Sequence, residues 1–236
     1  MNVEIWSDFA CPFCYIGKQR FEQALEQFSH KEDVKIVFKS FELDPNAPVR
    51  EEHDVHDMLV GKYGMKREEA ITMNHNIGVQ AAQSGLDFQF DAIQLTNTFD
   101  AHRLAKYADQ QGKTAIFQDL FKAYFTDGRH LGDHETLIQL ALEAGLDESS
   151  LRRLLASSEF ADKVRQDEEE AQQLGVTSVP FFVIDRKYAI SGAQASDTFL
   201  QALNTSWGES QPLQILGDVR GSDSDATCSD DGCSIQ

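Results

Sequence analysis

The sequence predicts an α/β fold in which the two ends of the chain build one four-stranded mixed sheet and a long helical insertion packs over one side. Three observations predict it. The first forty residues read strand, helix, strand; residues from about Glu51 to Leu174 are helical in period; and the β signal returns after Gly175 as a hairpin followed by a helix.

Val3-Glu4-Ile5-Trp6 alternates and is β-rich, which predicts the first strand. From Pro12 the period becomes helical, with Phe13, Ile16, Gly17, Phe21, Leu25 and Phe28 on one face and Lys18, Gln19, Glu22, Gln23 and Glu26 largely on the other. Pro12 suits the first turn, where its missing N–H leaves no bond unmade. Val34-Lys35-Ile36-Val37-Phe38 predicts a second strand, and Leu43-Asp44-Pro45-Asn46 breaks it. Helices are then expected over Val55–Tyr63, Arg67–Ser84, Asn97–Gln111, Lys113–Asp127, Glu135–Ala144, Ser149–Ser157 and Phe160–Leu174, many closed by a glycine such as Gly64 or Gly175. Pro180-Phe181-Phe182-Val183-Ile184 reads as a buried strand, Asp185-Arg186 as a turn, and Lys187-Tyr188-Ala189-Ile190 as its hairpin partner. A last amphipathic helix runs from Ala195 to Trp207, and Leu213, Ile215 and Leu216 form a short apolar patch after it. Beyond Gly217 large apolar residues nearly vanish among aspartates, glycines and serines, the composition of a flexible acidic tail. The expected boundaries are 1–48 and 175–207 for the two parts of the sheet domain, 49–174 for the inserted helical domain, and 208–236 for the tail.

Composition narrows the function. The chain of 236 residues carries a net charge of -18, which argues against a nucleic-acid or anionic-membrane partner, since both need clustered cations. No apolar run reaches the roughly 18–20 residues that span a bilayer. Met1-Asn2-Val3-Glu4 lacks a basic leader region, so a cytoplasmic location is expected. Four cysteines fall into two close pairs, Cys11/Cys14 and Cys228/Cys233. In a reducing compartment such pairs point to redox exchange or to metal rather than to structural disulfides.

Cys11-Pro12-Phe13-Cys14 at a strand-to-helix junction is the most informative segment. The thiolate is the nucleophile, and a free thiol with pKa ~8.5 is mostly protonated near neutrality. Unpaired N–H groups and the positive end of the macrodipole at a helix start stabilise the anion. Cys11 stands there and is expected to attack; Cys14, a turn later, is expected to resolve the mixed disulfide. Pro12 and Phe13 flank the nucleophile as substrate-contacting candidates. Trp6, Phe9 and Phe13 read either as an apolar rim for substrate or as ordinary core. The cysteines themselves have two other readings: half of a zinc site, which needs two further ligands, or small buried core residues. Val179-Pro180 opens a strand and is either a cis proline beside the dithiol, leaving neighbouring backbone free for a substrate chain, or a trans edge-strand proline.

Three segments together resemble the DsbA-like thioredoxin family, and its FrnE-type branch in particular: Trp6 to Cys14, Asn97-Thr98 with Ala101-His102-Arg103, and Val176 to Phe182. The resemblance covers roughly residues 1 to 207. It implies a thioredoxin-like fold with a large inserted helical domain, a nucleophile at Cys11, a resolving thiol at Cys14 and a cis proline at Pro180. The activity implied is that of a thiol–disulfide oxidoreductase or disulfide isomerase without a cofactor. Its partners would be protein or small-molecule thiols and disulfides, glutathione among them. Thr98 and His102 share a helix face and, with Arg103, read either as a polar patch toward the active-site groove or as capping and packing residues. Cys228 and Cys233, a C-x4-C pair, resemble the extension of that branch and imply a second redox pair; the other reading is a tail without catalytic part.

Two things depart from the pattern. Thioredoxin-like enzymes often carry a buried acid six residues before the first cysteine, and here that position is Ile5, with Glu4 turned to the other face and Asp8 in the turn. No proton acceptor for Cys14 is legible. The 2-hydroxychromene-2-carboxylate isomerases and kappa-class glutathione transferases share a similar inserted-helix architecture. They offer the competing function, a glutathione-dependent isomerase or transferase, but usually have serine where Cys11 stands.

Overall fold

The computed structural model describes residues 1–210. Strand β1 (Asn2–Ser7) leads into α1 (Pro12–Gln27) and β2 (Lys35–Ser40). The insertion then runs through α2 (Val55–Tyr63), α3 (Arg67–Gln83), α4 (Phe99–Gln110), α5 (Ile116–Phe125), α6 (His134–Glu143), α7 (Glu148–Leu155) and α8 (Ala161–Gln173). The chain returns through β3 (Phe181–Ile184), β4 (Tyr188–Ser191) and α9 (Ser196–Ser210).

The sheet order is β2-β1-β3-β4. β1 pairs in parallel with β2 and antiparallel with β3, so Ile5 lies opposite Phe38 on one side and Phe182 on the other. β3 and β4 form the expected hairpin, with Asp185 and Arg186 at positive φ in its turn. The central strand serves two cores. Val3 and Ile5 pack with Phe21, Phe182, Phe199 and Leu203, which joins α1 and α9 to the sheet. Trp6 belongs to the larger core with Ile16, Leu104, Phe117, Leu120 and Phe121, which joins the sheet domain to the insertion. Aromatic stacking marks that seam: Tyr15 lies on Phe121 at 5.1 Å and Phe38 on Phe117 at 4.2 Å between ring centroids.

Helix α1 therefore has less free surface than its own period predicts. Cys14, Tyr15 and Lys18 are buried, while Phe13 is 38% exposed and Leu25 only half-buried. Lys18 belongs on the expected polar face, yet α5 covers it. Its ammonium is satisfied by Glu22 Oε1 and Gln118 Oε1, each at 2.7 Å. Helix α4 begins at Phe99 rather than Asn97, whose Oδ1 accepts the Phe99 N–H at 2.9 Å. The seam is also held by Asp167 of α8, which accepts from the Ser40 N–H at 2.9 Å and pairs with Lys39 at 3.0 Å and with Lys106 of α4. The apolar patch after α9 and the pair Cys228/Cys233 lie outside the described residues.

Candidate active site

Cys11 is the N-cap residue of α1 and Pro12 occupies the first turn, as the sequence predicts. The Cys11 N–H donates to Asp8 O at 3.1 Å and the Cys14 N–H to Cys11 O at 3.0 Å, so the β1–α1 turn closes directly onto the dithiol. No carboxylate stands in the first turn of α1, which leaves the helix-start field to act on Cys11. Both thiols are free. Cys14 is sealed at 1% exposure, and Cys11 keeps 4% where it lines a cavity.

Val179-Pro180 is cis, and Cys11 Sγ sits 3.7 Å from the Val179 carbonyl. Gly17, one turn beyond Cys14, is where α1 meets this loop. A Cβ there would stand 2.9 Å from Pro180 Cγ and 3.4 Å from both Phe182 Cζ and Ala193 Cα. The absence of a side chain at Gly17 thus sets the approach of Pro180 to the dithiol.

Asp8 is the residue that sequence reasoning left in the turn without a role. It is 2% exposed, and its main-chain N–H points at Cys14 Sγ at 3.5 Å. Its Oδ1 accepts from Thr98 Oγ1 at 2.8 Å and from Ala10 N at 3.3 Å, and its Oδ2 accepts from the Leu43 N–H at 2.7 Å. His102 Nε2 lies 3.4 Å from Oδ1, at ion-pair distance but outside hydrogen-bond alignment. Burial alone would raise the Asp8 carboxyl; His102, the Leu43 N–H and Thr98 outweigh it and hold the group below the ordinary carboxylate range. Burial pushes the Cys14 thiol well up, and the neighbouring Cys11 sulfur adds to this. Glu42, which feels the charge of His102, pairs through Oε2 with Arg165 at 2.6 Å, while its buried Oε1 has no hydrogen-bond partner among the described residues. Burial raises the Glu42 carboxyl, against the pull of Arg165.

The spacing of Thr98 and His102 was the signal for this cluster, and the structure brings both to Asp8. Arg103, read with them, points elsewhere. Its guanidinium ties Asp100 and the carbonyls of Leu154, Ser157 and Glu159 at the end of α7. Trp6 and Phe9 are likewise core rather than rim: both are buried, and the Trp6 indole N–H donates to Asp167 O at 2.9 Å. Only Phe13 of that trio reaches the surface beside the dithiol.

The cavity beside Cys11 has a volume of about 700 Å³ and lies between the dithiol and the α2–α3 pair. Met58, Leu59, Met73, Ile77, Phe90 and Leu95 supply apolar wall, and Asp8, Asp44, Glu51 and Lys62 are its acidic and basic members. Among the described residues no group of three His, Cys, Asp or Glu side chains is placed to hold a metal, and no helix is long and apolar enough to cross a membrane.

Comparison with known proteins agrees with this architecture. The family model of the DSBA-like thioredoxin domain matches residues 2–204. A crystal structure of a probable DsbA oxidoreductase from Streptomyces coelicolor is 44% identical, covers 100% of this chain and 99% of its own, and superposes with a TM-score of 0.86. The uncharacterised protein YwbO of Bacillus subtilis is 28% identical over 211 residues, 86% of this chain and 96% of that one. A 2-hydroxychromene-2-carboxylate isomerase structure shares the fold at 17% identity and a TM-score of 0.64, covering 89% of this chain and 95% of its own.

Proposed function

The chain belongs to the DSBA-like thioredoxin domain family, and from that premise we propose that it is a thiol–disulfide oxidoreductase or disulfide isomerase working through Cys11 and Cys14. One observation carries the reading. Cys11 caps α1 at the wall of an apolar cavity, 3.7 Å from the Val179 carbonyl, with a second free thiol one turn behind it. In the forward step the Cys11 thiolate attacks a substrate disulfide, giving a mixed disulfide and releasing one thiolate. Cys14, as thiolate, then attacks Cys11 Sγ and releases the second thiol, leaving the Cys11–Cys14 disulfide. The order follows from the local fields. The Cys14 proton is held by burial and by the charge on Cys11. The second restraint disappears once Cys11 is tied up in the mixed disulfide, so Cys14 ionises when it is needed.

The first step is tested by substitution. Cys11→Ser is expected to abolish reduction of a protein disulfide such as that of insulin, and Cys14→Ser to accumulate mixed disulfides visible as mass adducts. Full activity in Cys11→Ser overturns the reading. A glutathione-dependent isomerase or transferase needs no resolving thiol; the free Cys14 thiol placed against the Asp8 N–H favours the dithiol reading. In this reading thiols and disulfides are the partners, and two close cysteine pairs suit a reducing compartment such as the cytoplasm. Cys228 and Cys233 enter the proposal as a second dithiol that reduces the Cys11–Cys14 disulfide. Replacing both by serine is expected to slow recycling under limiting reductant and to leave the first attack unchanged.

A further inference from the structure

We propose that Asn74 is a substrate-binding residue: its side-chain oxygen accepts a hydrogen bond from an amide N–H of the disulfide that enters the cavity beside Cys11. The inference rests on the dithiol reading above and deepens it. It names the substrate class as an amide-bearing disulfide, which is the chemistry of a polypeptide segment.

Asn74 stands where the period of α3 calls for an apolar side chain. The buried stripe of that helix is Ala70, Asn74, Ile77 and Ala81. Asn74 is 2% exposed, and it lines the same cavity as Cys11. A buried amide is costly unless both of its ends are used. Packing uses one end: Nδ2 lies 3.0 Å from Nδ1 of His56 in α2. The other end, Oδ1, makes no hydrogen bond within the described residues, and it is not sealed from solvent either, so it opens on the cavity.

The orientation of the amide is set from behind. His56 Nε2 lies 3.1 Å from Oδ1 of Asp91, in the short turn Phe90–Ala92. A carboxylate only accepts, so Nε2 carries the ring proton. The neutral ring then presents Nδ1 as an acceptor, Asn74 Nδ2 donates to it, and Asn74 Oδ1 is left toward the cavity. His56 and Val55 are the two buried residues of α2. The relay from Asp91 through His56 to Asn74 therefore sits where α2, α3 and Phe90 meet, and all three supply cavity wall. Asp91 and His56 act through Asn74 and are positioning residues.

The surroundings select the ligand. Met58, Met73, Ile77 and Phe90 make the wall apolar, so a fixed acceptor among them favours a substrate that brings a donor. Asp44 and Glu51 outnumber Lys62 around the cavity, so a neutral N–H suits it better than an anion. A polypeptide carries such an N–H beside each half-cystine, whereas a simple alkyl or aryl disulfide does not.

The test compares two uncharged disulfides of one shape, the bis(benzylamide) and the bis(benzyl ester) of dithiodipropionic acid. They differ only in an N–H against an ester oxygen. Reduced protein is mixed with each at low reagent concentration, thiol release is followed, and each rate is divided by that of mercaptoethanol with the same reagent. The wild type is expected to favour the amide by about tenfold. Asn74→Leu, similar in volume but without the acceptor, is expected to bring the ratio to within about twofold of one. The ring-nitrogen shifts of His56 in the wild type are expected to report a proton on Nε2 and none on Nδ1. A wild-type ratio near one overturns the proposal, and this holds even if the variant does not fold. A tenfold ratio kept in Asn74→Leu overturns it as well, as does a protonated His56 Nδ1, which would turn the amide NH2 toward the cavity. Release of no thiol from either reagent would count against the dithiol reading instead.

Discussion

The main-chain N–H of Asp8 and the sulfur of Cys14 stand 3.5 Å apart, so the buried acid and the resolving thiol belong to one turn of chain. The acid also couples the fold to pH. The Asp8 carboxyl is held below its ordinary value of 3.8 in the folded protein, so the unfolded chain binds more protons through that range. Its stabilisation is complete above about pH 4 and is withdrawn as pH falls through the lower folded value. Asp8→Asn is expected to be less stable than wild type at neutral pH by ~1–3 kcal/mol and to lose less on acidification. Urea midpoints at neutral pH and near pH 3 check this; parallel losses in the two proteins contradict it.

Gly17 governs how closely Pro180 approaches α1. Gly17→Ala places a methyl 2.9 Å from Pro180 Cγ, with backbone at Ala193 leaving little room behind it. The loop carrying Val179 is expected to move outward by a few tenths of an ångström, at a cost of ~1–3 kcal/mol. Because Cys11 Sγ lies 3.7 Å from the Val179 carbonyl, protein-disulfide reduction is expected to fall several-fold more than reaction with a small disulfide reagent. Equal rates with both substrates in Gly17→Ala and wild type would remove this loop from substrate positioning.

Asp167 is the anchor between insertion and sheet. It carries Lys106, which burial pushes below its usual pKa, together with Lys39 and the Ser40 N–H. Asp167→Ala strands a largely buried ammonium and a buried N–H, and is expected to destabilise by ~3–5 kcal/mol. Asp167→Ala with Lys106→Met removes the stranded charge and is expected to recover about half of that loss. Thermal denaturation of the single and double variants checks it, and additive losses would show that the two side chains do not act as a pair.

The same contrast separates what the sequence discloses from what it withholds. Helix α2 falls on Val55–Tyr63 as its period and Gly64 predict, and the dithiol takes the helix-start position that its strand-then-helix context requires. These are local properties, written in consecutive residues. Lys18 misleads because its burial is made by Gln118, a hundred positions away. Asp8 hides for the same reason: its partners are Thr98, which caps α4, His102 within α4, and Leu43 from the segment after β2, and no spacing rule around Cys11 announces them. The Thr98/His102 spacing showed a shared face but not the acid it would meet.

The cavity wall adds a prediction about selectivity. Methionine, leucine and phenylalanine side chains dominate the wall beside Cys11, Lys62 is its single cation among the described residues, and the chain carries a net charge of -18. A reagent that buries about 60 Å² of apolar surface there gains ~1.5 kcal/mol, roughly a tenfold effect on reaction with Cys11. A dianionic disulfide such as oxidised glutathione finds little positive charge and is repelled by the field of the whole molecule. Reduced protein is therefore expected to consume an uncharged aryl disulfide about tenfold faster than oxidised glutathione, after correction for their reactivity with a free thiol. Met73 is 38% exposed at this wall, so Met73→Glu puts a charge there at little cost in stability. The variant is expected to narrow the preference several-fold and to leave the rate with hydroxyethyl disulfide, which buries almost nothing, unchanged. Loss of rate toward all three reagents alike would mean that the substitution acts on the thiol itself and that the wall does not choose the substrate.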